Sequence, residues 1–267
     1  MKQILFLLAA TVFFTSCNNT NTTDSTTQTH EPVDFKGNWI SKDYLEAIQN
    51  NHSPKETAKN LLFYATELVI DPKNGDSVVV YNGQMERASL PFKRIGDTLR
   101  LKLNAAPYTD ILYSAEDKTI YFLDAELNRK FSFIRADGSW LDKSYEMPIA
   151  FPTAVNKATF AGFWDFYEHN STQKVVEFDK FGNLKGWDKY DSYVVCVNGD
   201  CNANESGDLV YFNKKDKSDA YGFYSKGDTI SIYNLKLLTD PDEKPSYING
   251  EVLGLLVRKD KKTLGIR

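Results

Sequence analysis

Phe-x-Gly-x-Trp is spelled twice in this chain, as Phe35-Lys36-Gly37-Asn38-Trp39 and as Phe160-Ala161-Gly162-Phe163-Trp164. Other pieces return at nearly the same step. Gly96-Asp97-Thr98-Leu99-Arg100-Leu101 reappears as Gly227-Asp228-Thr229-Ile230-Ser231-Ile232, and Phe133-Ile134-Arg135-Ala136-Asp137 as Leu256-Val257-Arg258-Lys259-Asp260. Trp39 to Trp164 is 125 positions, Gly96 to Gly227 131, and Arg135 to Arg258 123. A step that varies so little is the mark of one unit copied and then altered by loop insertions, so two similar domains are the economical organisation.

Within each copy the apolar period is two. Leu99, Leu101 and Leu103 alternate with Arg100 and Lys102, and Phe131 and Phe133 flank Ser132, the pattern of half-buried strands. Turn signals such as Asn74-Gly75, Gly182-Asn183 and Asn198-Gly199 imply hairpins between antiparallel neighbours. Strands are expected at 36–41, 62–70, 77–82, 84–90, 98–103, 109–114, 118–123 and 130–135 in the first copy. The second gives 161–168, 173–179, 184–188, 192–197, 208–213, 219–225, 229–235 and 250–258. Eight strands can close a barrel, which removes exposed edges; a sandwich of the same strands is the alternative. An aromatic share of 13% suits such pleated packing.

A Gly-x-Trp on the first strand with an arginine ending the last resembles the lipocalin, or calycin, superfamily. That resemblance pairs Trp39 with Arg135 and Trp164 with Arg258, each arginine packing across its indole at the closed end of a barrel. It implies an all-β fold of two tandem antiparallel eight-stranded lipocalin-like barrels, at residues 35–137 and 159–267, with 138–158 as a linker. Trp140 and Tyr145 of that linker are expected to pack on one barrel, and 155–267 to fold alone.

The copies differ after their tryptophans. The first inserts residues 41–62, in which Ser53-Pro54-Lys55-Glu56 forms a capping box with proline at the first helical position. Asp43 can cap an earlier turn carrying Tyr44, Leu45 and Ile48. A helical pair here resembles the ligand portal of the fatty-acid-binding branch, which would make Tyr44, Leu45 and Ile48 a lid over a small apolar or amphipathic ligand. The alternative is that these side chains simply cover a barrel end. The Arg-x-Tyr clamp of that branch is missing, since Phe131 follows Arg129.

No sequence signature of catalysis is present: neither His-Glu-x-x-His, nor Gly-x-Ser-x-Gly, nor a phosphate-cradling glycine loop occurs. Asp165, Glu168 and His169 read as a solvated strand end. Asp200, Asn202, Asn204 and Asp208 alternate, but Glu205 stands where a calcium loop needs glycine. The expectation is a non-enzymatic protein with no cofactor and no metal. A net charge of −4 without a basic stripe gives no footprint for nucleic acid.

Residues 1–16 read as a signal peptide, with Lys2 before an apolar run from Ile4 to Phe14. Phe14-Thr15-Ser16-Cys17 resembles a bacterial lipobox, which implies lipidation of Cys17 and a membrane anchor without a spanning helix. Residues 17–34, rich in Asn and Thr, are expected to form a tether, an arrangement that looks like lipoproteins of Bacteroidota. In that group acidic residues just after the cysteine go with surface display, so the resemblance, with Asn18 to Thr23 uncharged, implies an outer-membrane lipoprotein facing the periplasm rather than display at the cell surface; Asp24-Ser25-Thr26 resembles an O-glycosylation motif of the same group. In such an oxidising compartment Cys196 and Cys201 can bridge across a hairpin centred on Asn198-Gly199, with a redox-active pair or half a metal site as the competing readings. The partner is expected to be a small apolar ligand or another envelope protein.

Overall fold

The first copy folds into β1 (Gly37–Ser41), β2 (Glu67–Ile70), β3 (Ser77–Tyr81), β4 (Arg87–Ile95), β5 (Thr98–Leu101), β6 (Thr109–Ser114), β7 (Thr119–Asp124) and β8 (Arg129–Arg135). All neighbours are antiparallel, and β1 pairs with both β2 and β8, so the sheet closes into a barrel. This computed structural model describes residues 32–58, 65–71, 73, 75–102, 109–124, 128–144, 149–169, 171–197, 203–238 and 246–259.

The second copy supplies β9 (Gly162–Glu168), β10 (Lys174–Phe178), β11 (Leu184–Lys185), β12 (Ser192–Val195), β13 (Asp208–Lys214), β14 (Lys217–Lys226), β15 (Thr229–Leu237) and β16 (Tyr247–Arg258). Its order is β11-β10-β9-β16-β15-β14-β13-β12. The two end strands are drawn together by a bridge between Asn183 and Ser192. Leu184 N–H donates to Asp191 O at 2.9 Å and Tyr193 N–H to Gly182 O at 2.7 Å, which brings the second barrel close to closure. The expected class, two eight-stranded antiparallel barrels with a helical insertion in the first, is the observed one.

Boundaries differ where a side chain diverts the backbone. β4 starts at Arg87 rather than 84 because Asn82 Oδ1 accepts from the N–H of Gln84 and of Glu86, winding a loop where a strand was expected. The segment expected as a linker holds a 3₁₀ turn (Gly138–Trp140) and a helix, α3 (Phe151–Ala158). Phe151, Ala154 and Val155 of α3 are buried in the apolar cluster of the second barrel. Trp140 packs against that cluster with Lys157 Nζ 4.8 Å from its ring centre, whereas Tyr145 lies outside the described residues.

Each interior is built from inward-facing strand residues. In the first, Phe122 lies between Phe131 and Phe133, with ring centres 5.6 and 5.7 Å away. In the second, Phe160 sits at 5.0 Å from Phe223, 5.2 Å from Phe178 and 5.6 Å from Tyr193. Residues 33–267 form one compact unit. No described helix is long and apolar enough to cross a membrane.

Candidate functional site

The doubled motif builds the same corner in both barrels. Trp39 and Trp164 are buried, and their indole Nε1–H groups donate to Phe35 O at 2.8 Å and Phe160 O at 2.7 Å, four residues back in each case. Arg135 lies over Trp39 at 4.7 Å and Arg258 over Trp164 at 4.2 Å, and each pair is also directly opposed across adjacent strands. The glycine two residues before each tryptophan has φ of +134° at Gly37 and +140° at Gly162, backbone that a side chain would strain. A Cβ on Gly162 would stand 2.9 Å from Arg258 Nη1, so the missing side chain also makes room for the guanidinium. The phrase therefore encodes an indole lodged under an arginine. These four residues stabilise the ends of the barrels.

Tyr44, Leu45 and Ile48 are placed otherwise than a lid over the first barrel requires. They lie on α1 (Lys42–Asn51) and share the second barrel's cluster with Phe151, Ala154 and Val155, while the first barrel's cluster contains none of them. Strand alternation sets this up. Trp39 points into the first barrel and Ile40 out of it, and α1 continues the outward apolar face. Tyr44 and Phe151 meet edge to face at 5.0 Å.

Around this contact the two copies exchange helix caps. Helix α3 has no side-chain cap of its own, since Ala150 occupies the N-cap position. Glu67 of β2 takes over: its Oε2 accepts from Ala150 N–H at 2.9 Å and Phe151 N–H at 2.8 Å. In return Asp208 of β13 receives the start of α2 (Pro54–Ala58), its Oδ1 accepting from Lys55 N–H at 2.7 Å and Ser53 Oγ–H at 3.1 Å. Lys55 Nζ donates to Asn204 O, and His52 Nδ1 lies 3.2 Å from Ala158 O at the far end of α3. Half of the expected capping box forms, with Glu56 N–H donating to Ser53 Oγ at 3.1 Å, while Ser53 N–H turns to Asn51 Oδ1.

Both carboxyl groups are buried, Glu67 at 0% and Asp208 at 4% exposure. Burial raises the Glu67 carboxyl above its ordinary range against the pull of Asn38 and the Phe151 and Ala150 amides. Burial likewise pushes Asp208 up to about 6, opposed by Lys55 and Ser53. The Tyr44 hydroxyl is buried without a hydrogen-bond partner, and burial, then the charge of Asp208, holds it protonated.

A second polar group lies in the second barrel, away from the caps. Tyr190 Oη–H donates to Asp219 Oδ2 at 2.6 Å and lies 2.6 Å from Tyr221 Oη, which accepts from Lys189 Nζ at 3.1 Å. Lys217 Nζ closes the chain on Asp219 at 2.7 Å. The Lys217 ammonium and then the Tyr190 hydroxyl hold the Asp219 carboxyl below its ordinary range. Trp187 packs edge to face, 4.9 Å from Tyr190 and 5.0 Å from Phe212. Every donor here has an acceptor, so the group reads as a satisfied seal.

The remaining sequence candidates fall into structural roles. Asp165 pairs with Lys259 at 3.1 Å and Glu168 with Lys174 at 2.9 Å, while His169 N–H donates to Leu253 O. Asn204 donates to Asp208 O and Asn249 Oδ1, and Asp200 and Asn202 lie outside the described residues. Among the described residues no group of three or more His, Cys, Asp or Glu is placed to hold a metal ion. Cys196 is buried beside Leu209; Cys201, Cys17 and Asp24-Ser25-Thr26 lie outside the described residues.

Nothing in the sequence marked Glu67 or Asp208 as a cap, because each caps a helix 83 to 153 residues away; Asp208 stood out only as an alternating oxygen residue of the loop near Asn204. Fold and joint together define an all-β protein of two barrels locked through exchanged caps. No family model, no curated protein and no solved structure matches the chain.

Proposed function

We propose that this chain is a non-enzymatic, lipid-anchored envelope protein of the lipocalin-like type, whose two barrels act as one rigid module on another envelope protein. The observation behind this reading is that the described interiors are occupied by the protein's own rings, so recognition falls to outer faces. Tyr167, Leu255, Ser231 and Tyr224 are successive cross-strand neighbours over β9, β16, β15 and β14. They point outward, with Tyr167 45% and Tyr224 56% exposed. Exposed tyrosines supply contact area at low entropic cost, as at many protein interfaces.

The reading in which the first barrel takes a small apolar molecule used Tyr44, Leu45 and Ile48 as its lid. With these in the second barrel's cluster it keeps only the family resemblance behind it. Cross-linking in intact envelopes separates the two readings. The module reading expects one partner in fixed ratio, lost in Tyr167→Ser with Tyr224→Ser. No such partner, together with a thermal shift on adding envelope lipids, would replace it with the ligand reading.

A further inference from the structure

We propose that the exchange of caps between the barrels is a proton-sensitive latch, with Glu67 and Asp208 as its two bolts, which holds the barrels together more tightly at mildly acidic pH than above neutrality. The geometry comes first. Each carboxyl group leaves one barrel and ends on the first turn of a helix that belongs to the other half of the chain. Separating the halves would therefore expose both carboxyl groups to water and leave the Lys55, Ala150 and Phe151 amides without acceptors.

What distinguishes these carboxyl groups from ordinary interface acids is their donors. Glu67 accepts from Asn38 Nδ2 and from two backbone amides, and Asp208 from one amide and one hydroxyl. Neither forms an ion pair with a described residue. The charged groups around Asp208 are Lys55 and Glu56, both on α2: the Lys55 ammonium is turned to Asn204 O, and Glu56 opposes the negative charge. Tyr44 faces Asp208 from α1 as a neutral phenol. Among the described residues Glu67 is met by Asn38 and the two amides, and His52 sits at the opposite end of α3. Neutral donors offset part of the cost of burying a charge, and burial remains the larger effect at both sites.

The direction follows from linkage. A carboxyl group whose affinity for protons is higher in the latched state takes up a proton on latching, so acid favours the latched state and rising pH opposes it. For Asp208, moving between 3.8 when solvated and about 6 when buried, the latched-to-open ratio rises by about tenfold as pH falls from 7.5 to 5.0. Glu67 acts in the same direction.

Hydrogen exchange read by mass spectrometry on the full chain tests this, at pH 5.0 and 7.5 with intrinsic rates divided out. Peptides covering 53–58 and 149–158 should gain about tenfold or more in protection at pH 5.0 relative to central strands of either barrel. Asp208→Asn and Glu67→Gln should each shrink that gain, and the double variant should abolish it. Protection that is unchanged or lower at pH 5.0 in the native protein would overturn the latch. So would a gain that survives in the double variant. If a variant fails to fold, the pH comparison on the native protein still decides.

Discussion

The two glycines of the doubled motif make a controlled experiment, because the same substitution meets different surroundings. Gly37→Ala must hold alanine at a φ of +134°, which costs about 1–3 kcal/mol, with its Cβ in ordinary contact 3.6 Å from Arg135 Cγ. Gly162→Ala faces the same strain at +140° and adds a 2.9 Å clash with Arg258 Nη1. That guanidinium is not free to step aside. It lies over Trp164, and its Nη1 and Nη2 donate to Ala161 O at 3.1 Å and Thr159 O at 3.3 Å. Moving it forfeits part of a cation–π contact of about 0.5–2 kcal/mol and part of two partly exposed hydrogen bonds. Gly162→Ala should therefore cost about 1–2 kcal/mol more than Gly37→Ala in urea unfolding followed by circular dichroism. In an Arg258→Ala background the excess should vanish, since the clashing atom is gone. If Gly162→Ala costs no more than Gly37→Ala, or the excess persists without Arg258, the motif is not held as described.

Trp164→Ala should destabilise by about 3–5 kcal/mol, because the ring is 1% exposed and loses its bond to Phe160 O; a loss under about 1 kcal/mol would make the residue peripheral. A fragment of residues 149–267 should unfold cooperatively but at reduced stability, having lost the Glu67 cap, worth about 1–2 kcal/mol, and the packing of Tyr44, Leu45 and Ile48 as well; one starting at 155 also deletes Phe151 and Ala154 and should be markedly less stable still. Equal thermal midpoints for the two fragments would show that α3 contributes little. Alkylation of the unreduced protein should leave Cys196 and Cys201 unmodified, and two labelled cysteines by mass would refute the proposed bridge.

What sequence revealed and what it hid divide along one physical line. Strand alternation and turn chemistry are local, so sixteen strands could be placed from 37 onward with small errors. The floor pairs were legible because the motif is duplicated. By contrast α3 is short and has alanine at its N-cap, so Pro152 in its first turn is left without the capping side chain that marks α2. The cap of α3 is Glu67, which looks from sequence like one more strand residue. The packing partners of the expected lid were hidden for a related reason. Amphipathicity says that Tyr44, Leu45 and Ile48 are buried but not against what, and the answer lies in Phe151 and Ala154, over a hundred residues further on.

The differences between the copies are concentrated where the copies meet, and there is a reason for this. Two similar units that meet through different surfaces make a heterologous contact, and a heterologous contact that every copy can repeat builds rings or open arrays. Here the first copy supplies α1, α2 and Glu67, and the second supplies α3 and Asp208. The second copy has no counterpart to α1 and α2, since β9 passes to β10 within residues 169–173. It also lacks the acid of Glu67: Glu67 stands opposite Ile40, the residue after Trp39, and the matching position opposite Asp165 on β10 is Val175. A second barrel with neither the helical pair nor the buried acid cannot receive another α3. The contact therefore ends at two units, which accounts for an insertion in one copy that the barrel itself does not need.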